Sequence, residues 1–70
     1  MSIYKIVAKV NPTAAIMRLL TDNPDGMNIV SIKNETGVGL IRIRELISDL
    51  LDSKTIKEMR VGRSRVVYLG

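Results

Sequence analysis

The chain has 70 residues, 46% of them hydrophobic and two of them tyrosine, with 11 Lys and Arg against 7 acids for a net charge of +4. That is room for one small globular domain burying only ~60% of its unfolded surface, and it is not a disordered composition. Without cysteine or histidine, disulfide staples, ordinary zinc sites, and Ser/His or Cys nucleophile chemistry are all excluded.

Residues 3–10 alternate, with Tyr4, Ile6, Ala8 and Val10 on one face and Lys5 and Lys9 on the other. Period two with β-branched residues predicts a half-buried N-terminal strand. Asn11-Pro12 ends it and opens a helix, Asn11 as cap and Pro12 at the first position. Ala15, Ile16, Leu19 and Leu20 then give helical spacing, so the first helix spans 12–21. Asn23-Pro24-Asp25-Gly26 is turn chemistry, and Met27 re-enters an apolar environment. Asn28 caps a second helix, 28–36, whose apolar residues are Ile29 and Ile32 and whose stop is Gly37. A third helix, 39–52, buries one wide face of Leu40, Ile43, Leu46, Ile47, Leu50 and Leu51. Beyond Ser53 the period returns to two. Residues 56–61 and 64–69 read as strands of a hairpin, 56–69, with Gly62-Arg63 as a type II′ loop.

The charge is unevenly placed. Residues 1–53 sum to zero, and the entire +4 comes from Lys54, Lys57, Arg60, Arg63 and Arg65 against Glu58. A basic excess confined to one segment points to a contact surface for an anion, the alternative being a solvated tail. The hairpin register pairs residue 60 with 65 and 59 with 66. Arg60 and Arg65 then stand side by side on one face, with Met59, Val61 and Val66 on the other. Directly opposed like charges destabilise a hairpin, which makes better sense with a polyanion above them than as a solvated edge.

Helix, turn and helix over 28–46, followed by the hairpin, resemble the winged-helix family. The residues carrying the match are Ile32, Gly37, Val38, Ile43 and Leu46, and the resemblance covers about residues 12–69. Two positions depart from the family pattern: Lys33 stands where a small residue is usual, and Gly39 replaces the Ser or Thr that commonly caps the recognition helix. The resemblance implies an α+β fold, a three-helix winged helix-turn-helix with a C-terminal hairpin wing, to which residues 3–10 add an extra strand. It also implies double-stranded DNA as partner, the helix 39–52 in the major groove and the wing on the backbone or minor groove. Carried onto this chain, the nucleic-acid contacts are Lys33 and Gly39 at the turn, Ile41, Arg42, Arg44 and Ser48 on the third helix, and Arg60, Arg63, Ser64 and Arg65 in the hairpin. Arginine pairs bidentately with guanine, and an exposed isoleucine can touch a thymine methyl. Ile41 also reads as ordinary exposure, or as contact with a protein partner.

The expected function is a small DNA-binding transcriptional regulator, with no catalytic residues, no cofactor and no metal. A winged-helix protein-interaction module and a sequence-independent nucleic-acid binder are the alternatives. A homodimer is expected through the N-terminal strand or the first helix, since two copies would add contacts and stability. The same strand could instead complete the wing sheet of a monomer. Lys5 and Lys9 interrupt the apolar start, and no run approaches a membrane span, so the cytoplasm (of a host, for a virus or mobile element) is the expected compartment.

Overall fold

The computed structural model describes residues 2–70. In chain order these form α1 (Ile3–Val10), α2 (Pro12–Asp22), α3 (Ile29–Thr36), α4 (Leu40–Asp52), β1 (Ile56–Val61) and β2 (Ser64–Leu69). The fold is α+β, four helices and a two-stranded antiparallel hairpin. Three helices and the hairpin lie where the residue pattern puts them, with α2 one residue longer than expected and α3 and α4 each beginning one residue later.

The expected N-terminal strand over 3–10 is instead the helix α1. The eight residues satisfy both periods. Coiled, they turn Tyr4, Val7 and Ala8 inward at i, i+3 and i+4, while Ile6 and Val10, expected on the inner face, point out and Val10 is 88% exposed. Tertiary contacts decide between the two patterns. Buried Ala8 allows α1 to lie close against α2, and Tyr4 Oη donates to Asp22 Oδ2 at 2.6 Å. Arg18 Nε lies 3.7 Å from the same oxygen. That hydrogen bond, followed by partial burial and the nearby carboxylate charge, raises the Tyr4 phenol above its ordinary value of 10.0.

Asn11 is the joint between the two helices. Its extended backbone ends α1, and its side chain accepts from the Ala14 amide at 3.1 Å to cap α2. Asn28 caps α3 in the same way through the Ser31 amide at 2.8 Å. Each cap satisfies a donor that the first helical turn leaves open. At the far end of α3, Gly37 takes the left-handed conformation (φ +72°) that favours glycine. Buried Thr36 secures the turn: its hydroxyl donates to the Ile32 carbonyl at 2.8 Å and accepts from the Val38 amide at 3.3 Å.

The core joins Ile16, Leu19 and Leu20 of α2, Ile32 of α3, Ile43, Leu46 and Ile47 of α4, and Ile56 and Val67 of the hairpin. The radius of gyration, 11.0 Å, matches the ~11 Å expected for one compact body of this length. The hairpin register is the expected one, with Met59 opposite Val66 and Arg60 opposite Arg65. Gly62 has φ +60° and Arg63 does not share the positive sign, which fits a type II′ loop.

Two connections fix the hairpin on the helices. Past α4, the Thr55 amide donates to the Leu50 carbonyl at 2.9 Å and the Lys54 amide to the Leu51 carbonyl at 3.0 Å. This pair of bonds is a Schellman motif, with Lys54 (φ +59°) where glycine is usual. On the other side, Met27 and Val67 exchange both amide–carbonyl bonds at 2.9 Å, adding a one-residue third strand beside β2. Gly26 makes that approach possible: a Cβ there would stand 2.9 Å from the Val67 carbonyl oxygen and closer still to Val66.

Candidate nucleic-acid interface

All ten residues singled out from the sequence are exposed. Strand alternation determines how those of the hairpin are aimed. Ile56, Glu58 and Arg60 of β1 share a face with Leu69, Val67 and Arg65 of β2, because opposed residues point the same way. Ile56 and Val67 are buried at one end of this face, so it is the face turned to the helices. Where the hairpin runs out past the core, the same face changes from apolar to basic. Met59, Val61 and Val66 occupy the opposite face, with Met59 and Val61 exposed.

An open groove of about 420 Å³ separates the hairpin from α4. Arg44 and Ser48 line it from the helix, Glu58 and Arg65 from the hairpin, over an apolar floor of Ile29, Ile47, Leu51 and Val67. Arg44 and Ser48 are four residues apart and so lie on one helix face, with Ile41 a turn earlier on the same stripe. Ile41 is 77% exposed. Ser64 and Arg65 also border the start of α3, beside Asn28, Ile29 and Val30.

The remaining candidates lie elsewhere. Lys33 and Gly39 flank a separate depression at the turn between α3 and α4. Gly39 precedes α4 without supplying a side-chain cap. Arg42 lies on another flank of α4 and is paired with Glu45 at 3.3 Å. Arg63 is at the hairpin tip. The ion pairs among the described residues are Arg42–Glu45 and Arg18–Asp22, both too exposed to contribute more than a few tenths of a kcal/mol. Arg44, Arg60, Arg63 and Arg65 are in neither.

No protein-family model, curated protein or solved structure matches this chain. The chemistry of the surface is therefore read from its own side chains.

Arg44 and Arg65 on opposite walls of a groove, with the Ser48 hydroxyl on the helix wall, Arg60 beside Arg65 on the ladder and Arg63 at the tip, make a surface for an extended polyanion. No group of three or more carboxylates is placed to hold a metal ion, and no helix is long and apolar enough to cross a membrane, among the described residues. The expected dimer strand does not exist, since residues 3–10 are helical. The apolar residues of α2 face the core, and it is α1 that leaves Ile3, Ile6 and Val10 exposed. Sequence reasoning missed Glu58 as a groove residue, although period two already places it on the Arg60 face. It also missed Asn28–Val30 as neighbours of the hairpin tip, for which no local signal exists.

Proposed function

We propose that this chain is a duplex-DNA-binding protein of winged-helix layout, with α4 as the recognition helix and the β1–β2 hairpin as the wing. The observation that carries the reading is the shared groove. Arg44 and Ser48 of the helix and Arg65 of the hairpin look onto one channel, with Arg60 opposite Arg65 on the ladder just beyond it, so a single duplex can meet both elements. In this reading α4 lies in the major groove, where Arg44 reads guanine through its two parallel donors and Ile41 packs on a thymine methyl. Arg60, Arg63 and Arg65 neutralise phosphates of the flanking backbone and position the helix without selecting sequence. Ser64, on the Val61 side of the ladder, adds a hydroxyl donor at the hairpin tip. Lys33, near Gly39 at the turn, reaches a more distant phosphate, and Arg42 contributes only by leaving Glu45. A protein that reads base edges in this way would serve as a transcriptional regulator.

Fluorescence anisotropy on a labelled random duplex, titrated across a salt series, tests the proposal. Saturable binding whose logarithm falls linearly with log salt is expected, because each neutralised phosphate releases counterions. A folded sample that binds no duplex at low salt would overturn it. The exposure of Ile41 favours one other reading, a protein-binding module using the same helix. Under that reading Ile41→Asp abolishes a partner complex that Arg65→Ala leaves intact.

A further inference from the structure

The basic segment 54–70 carries a single acidic side chain, and it borders the groove. Glu58 is the one acid among residues 54–70, against five Lys and Arg. The register puts it on the arginine face, two residues before Arg60 on its own strand and diagonal to Arg65 on the next. It borders the groove that Arg44 and Arg65 line, and also a smaller hollow beside Arg60 and Arg65. It belongs to neither ion pair of the described residues, and it is exposed.

We propose that Glu58 is an affinity-limiting residue that restrains phosphate binding by the groove, a role that rests on the duplex-binding reading above. Its charge acts in opposite directions in the two states. In the free protein it offsets the repulsion between Arg60 and Arg65, which face each other directly across the ladder. In a complex the same charge meets the incoming phosphates and repels them, whatever the sequence. A duplex held only through its backbone therefore loses part of what the arginines provide. A duplex that also satisfies Arg44 through base edges meets the same repulsion and keeps only the advantage those contacts give it. Glu58 thus lowers the affinity for every duplex by a similar factor and leaves the ratio between preferred and other sites unchanged.

The test compares Glu58→Gln with Asp25→Asn on the full chain, using a labelled random-sequence duplex in anisotropy titrations. Both substitutions remove one negative charge, but Asp25 lies in the 23–26 turn and lines neither hollow. Glu58→Gln is expected to tighten binding by about 3- to 10-fold near ~50 mM salt, with the gain fading by ~200 mM as screening shortens the reach of the charge. Asp25→Asn is expected to change it less than about twofold, since rim charges act locally. In an Arg65→Gln background the gain from Glu58→Gln should shrink, because the two groups share one field. Equal shifts from Glu58→Gln and Asp25→Asn, or weaker binding by Glu58→Gln, overturn the proposal while leaving duplex binding intact. Absence of binding by the unsubstituted protein removes the duplex reading itself. Thermal melting of each variant confirms that folded protein is compared, and Glu58→Ser provides a second neutral side chain.

Discussion

The two halves of the hairpin share one ladder and one face, yet they do different work. At the base, Ile56 and Val67 are 2% exposed and belong to the core, and the Met27 bridge holds the second strand from its other side. At the tip, Arg60, Gly62, Arg63 and Arg65 are all exposed, with like charges opposed across the strands. Hydrophobic burial holds the base and lets the tip keep a charge arrangement that would weaken an isolated hairpin. The charged end can therefore be altered without unfolding the protein, and the apolar end cannot.

Ile56→Ala should break this division most severely. It removes a fully packed side chain and is expected to destabilise by ~2–5 kcal/mol, a large share of the ~4–10 kcal/mol a domain of this size has in total. Urea unfolding would measure it, and a loss below ~1 kcal/mol would mean that the base is not part of the core. Substitutions at the tip should leave the unfolding midpoint nearly unchanged and appear in binding alone. Arg44→Ala is expected to lose ~1–3 kcal/mol on a preferred duplex and to relax its sequence preference, whereas Arg65→Ala should weaken all duplexes alike and lower the salt slope by about one unit. Equal behaviour of the two variants would erase the distinction between reading and gripping.

Lys54→Gly sharpens the comparison at the joint between α4 and the hairpin. A left-handed L-residue is strained by ~1–2 kcal/mol, part of which glycine returns as added freedom of the unfolded chain. The net expectation is a gain of ~0.5–1 kcal/mol and a melting temperature higher by a few degrees.

Tyr4→Phe, far from the hairpin, should have the smallest effect, a slight loss of stability at neutral pH that closes in alkali. The folded state holds the phenol proton more tightly than the unfolded chain does. Its contribution is thus complete below pH 10 and is lost as pH rises through the elevated folded value. The substitution would remove that alkaline loss, and a melting series from neutral to alkaline pH would show a flatter decline.

Much of the architecture was legible because the punctuation is local. Asn11, Pro12, Asn28 and Gly37 mark helix ends through their own side chains or backbone freedom, and Gly62 alone suffices to set the hairpin register. Residues 3–10 misled because eight residues cannot separate the two periods when Tyr4 and Ala8 fit both and only Val7 against Ile6 and Val10 distinguishes them. The choice was made by α2, through Asp22 and the close approach at Ala8. The Met27 bridge was invisible for a different reason: one residue has no period. At the candidate interface, the separation of arginines from Met59, Val61 and Val66 followed from alternation. The approach of Arg44 to Arg65 did not, because it depends on the turn at Lys54 and the bridge at Met27. The Arg42–Glu45 pair was readable in principle from its three-residue spacing.

The bridge at Met27 has a consequence for recognition. Together with the turn at Lys54 it holds the hairpin at two separate points, so the gap between Arg44 and Arg65 is set before any partner arrives. Such a surface behaves as a caliper of fixed opening. In the proposed complex little ordering entropy is lost on association, and a duplex too wide or too narrow for the jaws would itself have to deform.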